Sequence, residues 1–333
     1  MTIANTNRTK AYCNVMAMEK GLDPIGYART FDTCFALELP LPWVHSIIKD
    51  QPNIPDELRQ LGQLYAQLPP EERLRVRPMF IVPDEAYSQA GYRRLLHYTR
   101  PNGAFSAFTK SEYLVPESEV GPLLWALQQS PEKLPQFDAY RVNDSDVRDL
   151  MICTHGTVDV ACAKFGFPVY QHLRQNVANE QLRVWRVSHF GGHIFAPTVL
   201  DMPTGHYWAY MDGELGQQVA ERRGDATPLR GHYRGWSGMG NSFLQALDRE
   251  LWQQQGWSWF DVEKEGQVLR QDDDEDPQWA DVRITHQKPG TDQQVTVEAH
   301  VVVKRSIETR PSSRGDKINT YPQYHVETME INA

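Results

Sequence analysis

Two thiols and two imidazoles fall close together in the middle of this chain. Cys153 and Cys162 bracket the segment Cys-Thr-His-Gly-Thr-Val-Asp-Val-Ala-Cys, and 26 residues further on comes Ser188-His189-Phe190-Gly191-Gly192-His193. Thiolates bind zinc and iron–sulfur clusters strongly, and imidazole is acceptable to both. Two histidines with three residues between them would share one face of a helix, as in zinc proteases. Gly191 and Gly192 speak against a helix there. They favour a kinked loop whose backbone can approach a bulky group closely. Cys153, Cys162, His189 and His193 are therefore the candidate ligands of a metal centre. Structural zinc sites usually draw their cysteines from tight CxxC-type knuckles, and eight intervening residues depart from that pattern. A disulfide is ill suited to a reducing compartment, and packing of the thiols as small hydrophobic groups is the bland alternative. Spacing and residue chemistry leave a Cys2His2 zinc ion and an iron–sulfur cluster both open.

Neighbouring residues take supporting roles. His155 and Asp159 lie between the thiols and can hydrogen-bond to sulfur or to a ligand ring, and Asp159 equally suits the cap of a following helix. Ser188 is a further donor. Cys13 and Cys34 stand apart and read as buried packing residues. Trp252, Trp257 and Trp259 read as core.

These side chains need strands and helices to hold them. A strand near Asp149 to Cys153, a helix from about Asp159 to Gln175 and a strand from Leu182 to Ser188 bring both pairs to neighbouring strand ends, where sites on open α/β sheets form. A strand from His206 to Met211 and a helix from Gly213 to Arg222 follow. Before them, Phe35 to Leu39 and Val76 to Val82 read as strands. Asp56 caps a helix reaching Leu68 with Leu58, Leu61, Leu64 and Leu68 on one face, and Val120 to Gln129 is a short apolar helix. After them come a helix from Asn241 to Gln254 and a hairpin of Ala280–Thr285 and Gln294–Lys304 around Pro289-Gly290-Thr291-Asp292. Val295, Val297, Ala299, Val301 and Val303 share a face of that hairpin, and a last strand runs from about Tyr324 to Ile331. The fold class is α/β. Three regions are expected: an α/β domain over 1–137, a site-bearing domain over 138–236 and a smaller α+β region over 237–333. No internal repeat is visible.

The chain has 333 residues, 40% hydrophobic and 23% charged, with a formal charge of -9. That charge argues against nucleic acid and anionic membranes as partners. Part of it lies in Asp272-Asp273-Asp274-Glu275-Asp276, a solvated loop by charge repulsion. No apolar run is long enough to span a membrane, and the first ten residues lack the apolar core of a signal peptide, so a cytoplasmic protein is expected.

The Cys-x-His-Gly…Asp…Cys segment followed by Ser188-His189-Phe190-Gly191-Gly192-His193-Ile194-Phe195-Ala196-Pro197 resembles the sucrase/ferredoxin-like family. Met202-Pro203-Thr204-Gly205-His206-Tyr207 and Tyr233-Arg234-Gly235 fit the same pattern. Cys13, Asp23-Pro24-Ile25-Gly26 and Leu41-Pro42-Trp43 are similar to the family's opening, so the likeness covers about residues 10 to 235. It implies a thioredoxin-like ferredoxin domain, a [2Fe–2S] cluster on Cys153, Cys162, His189 and His193, and electron transfer between a protein donor and a protein acceptor, both unknown. Nitrogen ligands would raise the potential above that of an all-cysteine ferredoxin and couple a proton to the electron. Val158-Asp159-Val160-Ala161-Cys162 lacks the arginine and the adjacent cysteines frequent in the family's loop. Ile194 stands where a basic residue is common. Both departures spare the ligands and leave the docking partner open. No paired carboxylates support the glycoside hydrolysis in the family's label. A carrier is the preferred reading. A zinc-binding protein and an oxidoreductase centred on the cluster are the alternatives.

Overall fold

The computed structural model describes residues 12–332 other than 74, 144, 145, 289, 290 and 292. After α1 (Cys13–Glu19), the first half of the molecule runs β1 (Thr33–Glu38), α2 (Ile47–Asp50), α3 (Asp56–Gln67), α4 (Pro70–Arg73), β2 (Val76–Ile81), β3 (Tyr92–Thr99), β4 (Thr109–Pro116), α5 (Val120–Gln129) and β5 (Arg141–Val142). Its first strand is buried on both faces, as expected of a central parallel strand: Cys34 and Ala36 enter one core, Phe35 and Leu37 the other. The α3 helix buries Leu58 and Leu61 and leaves Leu64 39% exposed, so the expected four-leucine face is only half used. Asp56 does not cap α3. Pro55 holds the cap position without a side-chain bond, and Asp56 is the first helical residue, where a carboxylate suits the positive end of the helix dipole.

The second half runs β6 (Arg148–Cys153), α6 (Val160–Asn176), β7 (Leu182–Val187), β8 (Val199–Met202), β9 (His206–Trp208), α7 (Gly213–Glu221) and β10 (Tyr233–Trp236). All ten strands form one sheet in the order β10-β9-β8-β6-β7-β2-β1-β3-β4-β5. That order is the same from either edge. In each half the first strand lies parallel to the second and antiparallel to the third. The third then pairs antiparallel with the fourth and the fourth with the fifth. A helical crossover joins the first two strands of each half, and a helix follows the fourth. The halves meet antiparallel where Ile81 of β2 faces Val187 of β7. The thioredoxin-like strand order expected of the second half is therefore present twice. The absence of a repeat inferred from sequence is corrected at the level of topology.

The third region is α8 (Ser242–Gln255), capped by Asn241, and a four-stranded antiparallel sheet of β11 (Lys264–Gln271), β12 (Trp279–Gln287), β13 (Gln294–Thr309) and β14 (Asn319–Asn332). Val295, Val297, Ala299 and Val301 are buried as their alternation requires, and Val303 is half-buried. Their core is continuous with that under β6 and β7, and Trp252 and Trp259 are buried in it. Most of the Pro289–Asp292 turn lies outside the described residues. The acidic run 272–276 is an exposed loop between β11 and β12. At 16 and 14 residues, β13 and β14 outrun the expected strands Gln294–Lys304 and Tyr324–Ile331, and they pair with each other as a second hairpin. Their connecting loop, residues 310–318, reaches the starts of α1 and α6.

Candidate metal centre

Cys153 is the last residue of β6, and its partner in the parallel register is Val187, the last of β7. The chain leaves both strands at the same edge, so the loop bearing His189 emerges beside Cys153. The α6 helix then brings Cys162, in its first turn, back over the strand end. Gly166 makes that packing possible, because a Cβ there would lie 2.1 Å from the Cys153 carbonyl oxygen. The side chain of Asp159 caps α6, accepting from the Ala161 amide at 2.9 Å.

The expected ligands converge. His189 Nδ1 lies 3.7 Å from Cys153 Sγ and 3.7 Å from Cys162 Sγ, and the three donor atoms fall within 4.8 Å of one another. His193 lies outside that group of three, its ring 5.1 Å from that of His189, centroid to centroid, and tilted by 31°. His193 Nδ1 is buried with no hydrogen-bond partner among the described residues. Such a nitrogen needs an explanation, and a lone pair kept for a metal is one. The donor set fits a thiophilic metal group, two soft sulfurs and two borderline nitrogens.

The thiols titrate as a pair. Burial would raise Cys153, but its bonds with Cys162 and His189 prevail and hold it well below an ordinary thiol; the bond with Cys153, followed by burial, pushes Cys162 well above. His193 is lowered by burial and then by His189, against a backbone bond at Pro311. His155 sits just behind: its Nδ1 accepts from the His189 amide at 3.2 Å and its Nε2 donates to the Val44 carbonyl at 2.9 Å. That pairing fixes the neutral tautomer and the path of the ligand loop. Ser188 turns away and accepts from the Phe80 amide at 3.0 Å.

Two contributors escaped the sequence reading. Arg234, only 2% exposed, donates to the Gly191 carbonyl at 2.9 Å and lies over the rings of Phe195 and Tyr207. Gly192, at φ +81°, faces it so closely that a Cβ would come within 2.6 Å of the guanidinium. Burial, then the neighbouring Arg29 and Arg77, lower Arg234 to about 10, which leaves it charged at neutral pH.

The second contributor is the loop joining β13 and β14, in a region to which the sequence assigned no chemistry. Ser312 Oγ and the Ser313 amide both donate to Asp159 Oδ2 at 2.8 Å. Ser313 Oγ accepts from the Cys13 amide at 3.1 Å, and Cys13 Sγ donates to the His193 carbonyl at 3.6 Å. The loop thus clasps the starts of α1 and α6 beside the ligands. A Pro-Ser-Ser-Arg turn carries no sequence signal of such a destination. Cys13 and Cys34 are buried in separate cores, and burial raises them to about 11 and about 12. Cys34 sits as a packing thiol, whereas Cys13 also takes part in the clasp.

No helix among the described residues is long and apolar enough to cross a membrane. No curated protein and no solved structure matches the chain. A family model described as sucrase/ferredoxin-like matches residues 24–235, a stretch that holds all four candidate ligands and Arg234 and leaves out Cys13 and the clasping loop.

Proposed function

The chain belongs to the sucrase/ferredoxin-like family, and on that premise we propose that it carries single electrons on a [2Fe–2S] cluster held by Cys153, Cys162, His189 and His193. The observation that carries this reading is the meeting of two buried thiols and His189 Nδ1 within 4.8 Å, with the unpartnered Nδ1 of His193 beside them. Such a cluster supplies reversible one-electron chemistry, at a higher potential than with four cysteines. The protein's part is to hold and shield it. The burial of both cysteines keeps water from the sulfurs, His155 fixes the ligand loop, and Arg234 sets a positive charge against its glycines.

Carriage suits the surroundings better than catalysis. Asp159, the carboxylate nearest the thiols in sequence, is engaged by α6 and the clasp, and so is not free for acid–base work. Donor and acceptor are taken to be redox proteins.

One observation favours a second reading, structural zinc. Three donor atoms within 4.8 Å are compact enough for a single tetrahedral ion. Elemental and sulfide analysis of protein purified without air separates the two. Iron and acid-labile sulfide in equal amounts support the cluster; one zinc per chain and no sulfide supports the alternative.

A further inference from the structure

Beside the metal centre, a cleft of about 640 Å³ lies over the seam between the two halves of the sheet. Pro78 and Phe80 of β2 line it from the sheet, Ile47 and Ile48 of α2 and Ala66 of α3 from the helices, and His189 at the metal centre. It is a built feature. Thr157 Oγ1 donates to the Trp43 carbonyl at 3.1 Å, His45 Nδ1 bonds the Thr157 carbonyl at 3.1 Å, and His155 bonds Val44. These three bonds stitch the loop after β1 to the loop after β6, each loop coming from a different half.

Its polar lining has one sign. Lys49, Arg59 and His45 contribute to the wall, and no Asp or Glu does, in a chain whose formal charge is -9. Arg59 is braced, donating to the Lys49 carbonyl at 3.0 Å and the Gln51 carbonyl at 2.5 Å. Among the described residues no carboxylate pairs with Lys49 or Arg59. A low-dielectric cleft lined by cations concentrates anions. Its volume is that of a small-molecule site, and the boundary between structural units is a common place for one.

We propose that this cleft binds a small organic anion, a flat apolar body bearing one carboxylate or sulfonate. The acidic end faces Lys49, Arg59 and His45, and the body lies on Phe80 and Pro78 and touches His189. This rests on the proposed function only in making the ligand a neighbour of a metal-holding histidine. An acidic segment of a partner protein would use the same charges, but a cleft with an aromatic floor suits a compact ligand better.

The test uses the full chain as purified, with 2-naphthoate as probe and the isosteric neutral 2-naphthamide beside it, both followed by calorimetry. The expected result is saturable binding of one naphthoate per chain, at least tenfold tighter than naphthamide and weakened by added salt. Lys49→Glu is expected to weaken naphthoate at least tenfold, and Lys164→Glu, on α6 outside the cleft lining, to leave it unchanged. Lys49 is exposed, so its replacement leaves the fold intact. A response of the site's absorption to naphthoate places the ligand against His189. No saturable binding, equal binding of the amide, indifference to Lys49→Glu, or binding of a glutamate-rich peptide alone would each overturn the proposal. A colourless zinc protein that still binds naphthoate removes the electron-carrier reading and leaves the cleft; a coloured protein that ignores naphthoate does the reverse.

Discussion

Arg234 brings a positive charge into the interior, and among the described residues no carboxylate pairs with it. A buried cation of this kind is costly unless something negative lies near, and the loop it bonds at Gly191 joins His189 to His193 of the proposed cluster. Adding an electron there makes the centre more negative and strengthens the attraction. Arg234→Met is therefore expected to lower the midpoint potential by about 60 mV or more, a tenfold change in a one-electron equilibrium, with Arg234→Lys falling between. Voltammetry at fixed pH and salt reads this directly, and a purely structural role would leave the potential of the surviving centre unmoved. That Cys153, Cys162 and His189 meet was legible in the sequence, because thiols and imidazoles at such spacings have few other uses. Arg234 was not, since arginines are mostly at the surface and only the fold shows that this one is enclosed by Phe195, Tyr207 and Gly192.

Among the elements, the long hairpin of β13 and β14 has the least expected role. Its tip binds the carboxylate that caps α6, the helix bearing Cys162. Supporting contacts of this kind commonly change metal affinity by about 10- to 100-fold. Replacing Ser312 and Ser313 together by alanine is expected to speed loss of metal to a chelator within that range while circular dichroism stays unchanged. Asp159→Ala removes the cap as well and is expected to cost about 1 kcal/mol of stability besides. Part of each strand could be read, β13 from its valines as the partner of β12 and β14 as a separate last strand. The reach of the hairpin could not, because the outer parts of both strands are half-exposed and lack the alternation that marks a strand against a core. The helix around Asp56 shows the same limit: its leucines gave its place, but the capping residue was misassigned.

At the scale of the whole molecule, two five-strand halves of the same topology share one sheet, and among the described residues the candidate metal ligands all lie in the second. Glu38 ends the first strand of its half as Cys153 ends the first strand of the other. The duplication is invisible in sequence because strand order is preserved by burial patterns that many different residues satisfy, while the crossovers differ, three helices in one half and one in the other. A buried ionic network spans the halves. Lys110 and Tyr98 of the first bond Asp149 of the second at 2.7 and 2.8 Å, and Arg183 of the second bonds Glu112 of the first at 2.7 Å. Burial alone would raise Asp149, but Arg183 and Lys110 hold it below the ordinary carboxylate range. Its folded pKa is thus lower than its unfolded one. The stability it contributes is complete above the unfolded value of about 4 and is lost as pH falls through the folded value. Asp149→Asn is expected to cost about 3 kcal/mol at neutral pH and to flatten the acid limb of the stability curve, both measurable by urea unfolding between pH 7 and pH 3.

The central claim, a two-iron cluster on two cysteines and two histidines, meets its most direct test in the EPR spectrum of the protein purified without air and reduced by one electron. The expected result is a spin-one-half signal integrating to one spin per chain, lost when Cys153 or Cys162 is replaced by alanine and altered when His189 or His193 is replaced by cysteine. A colourless, EPR-silent protein holding one zinc would contradict it.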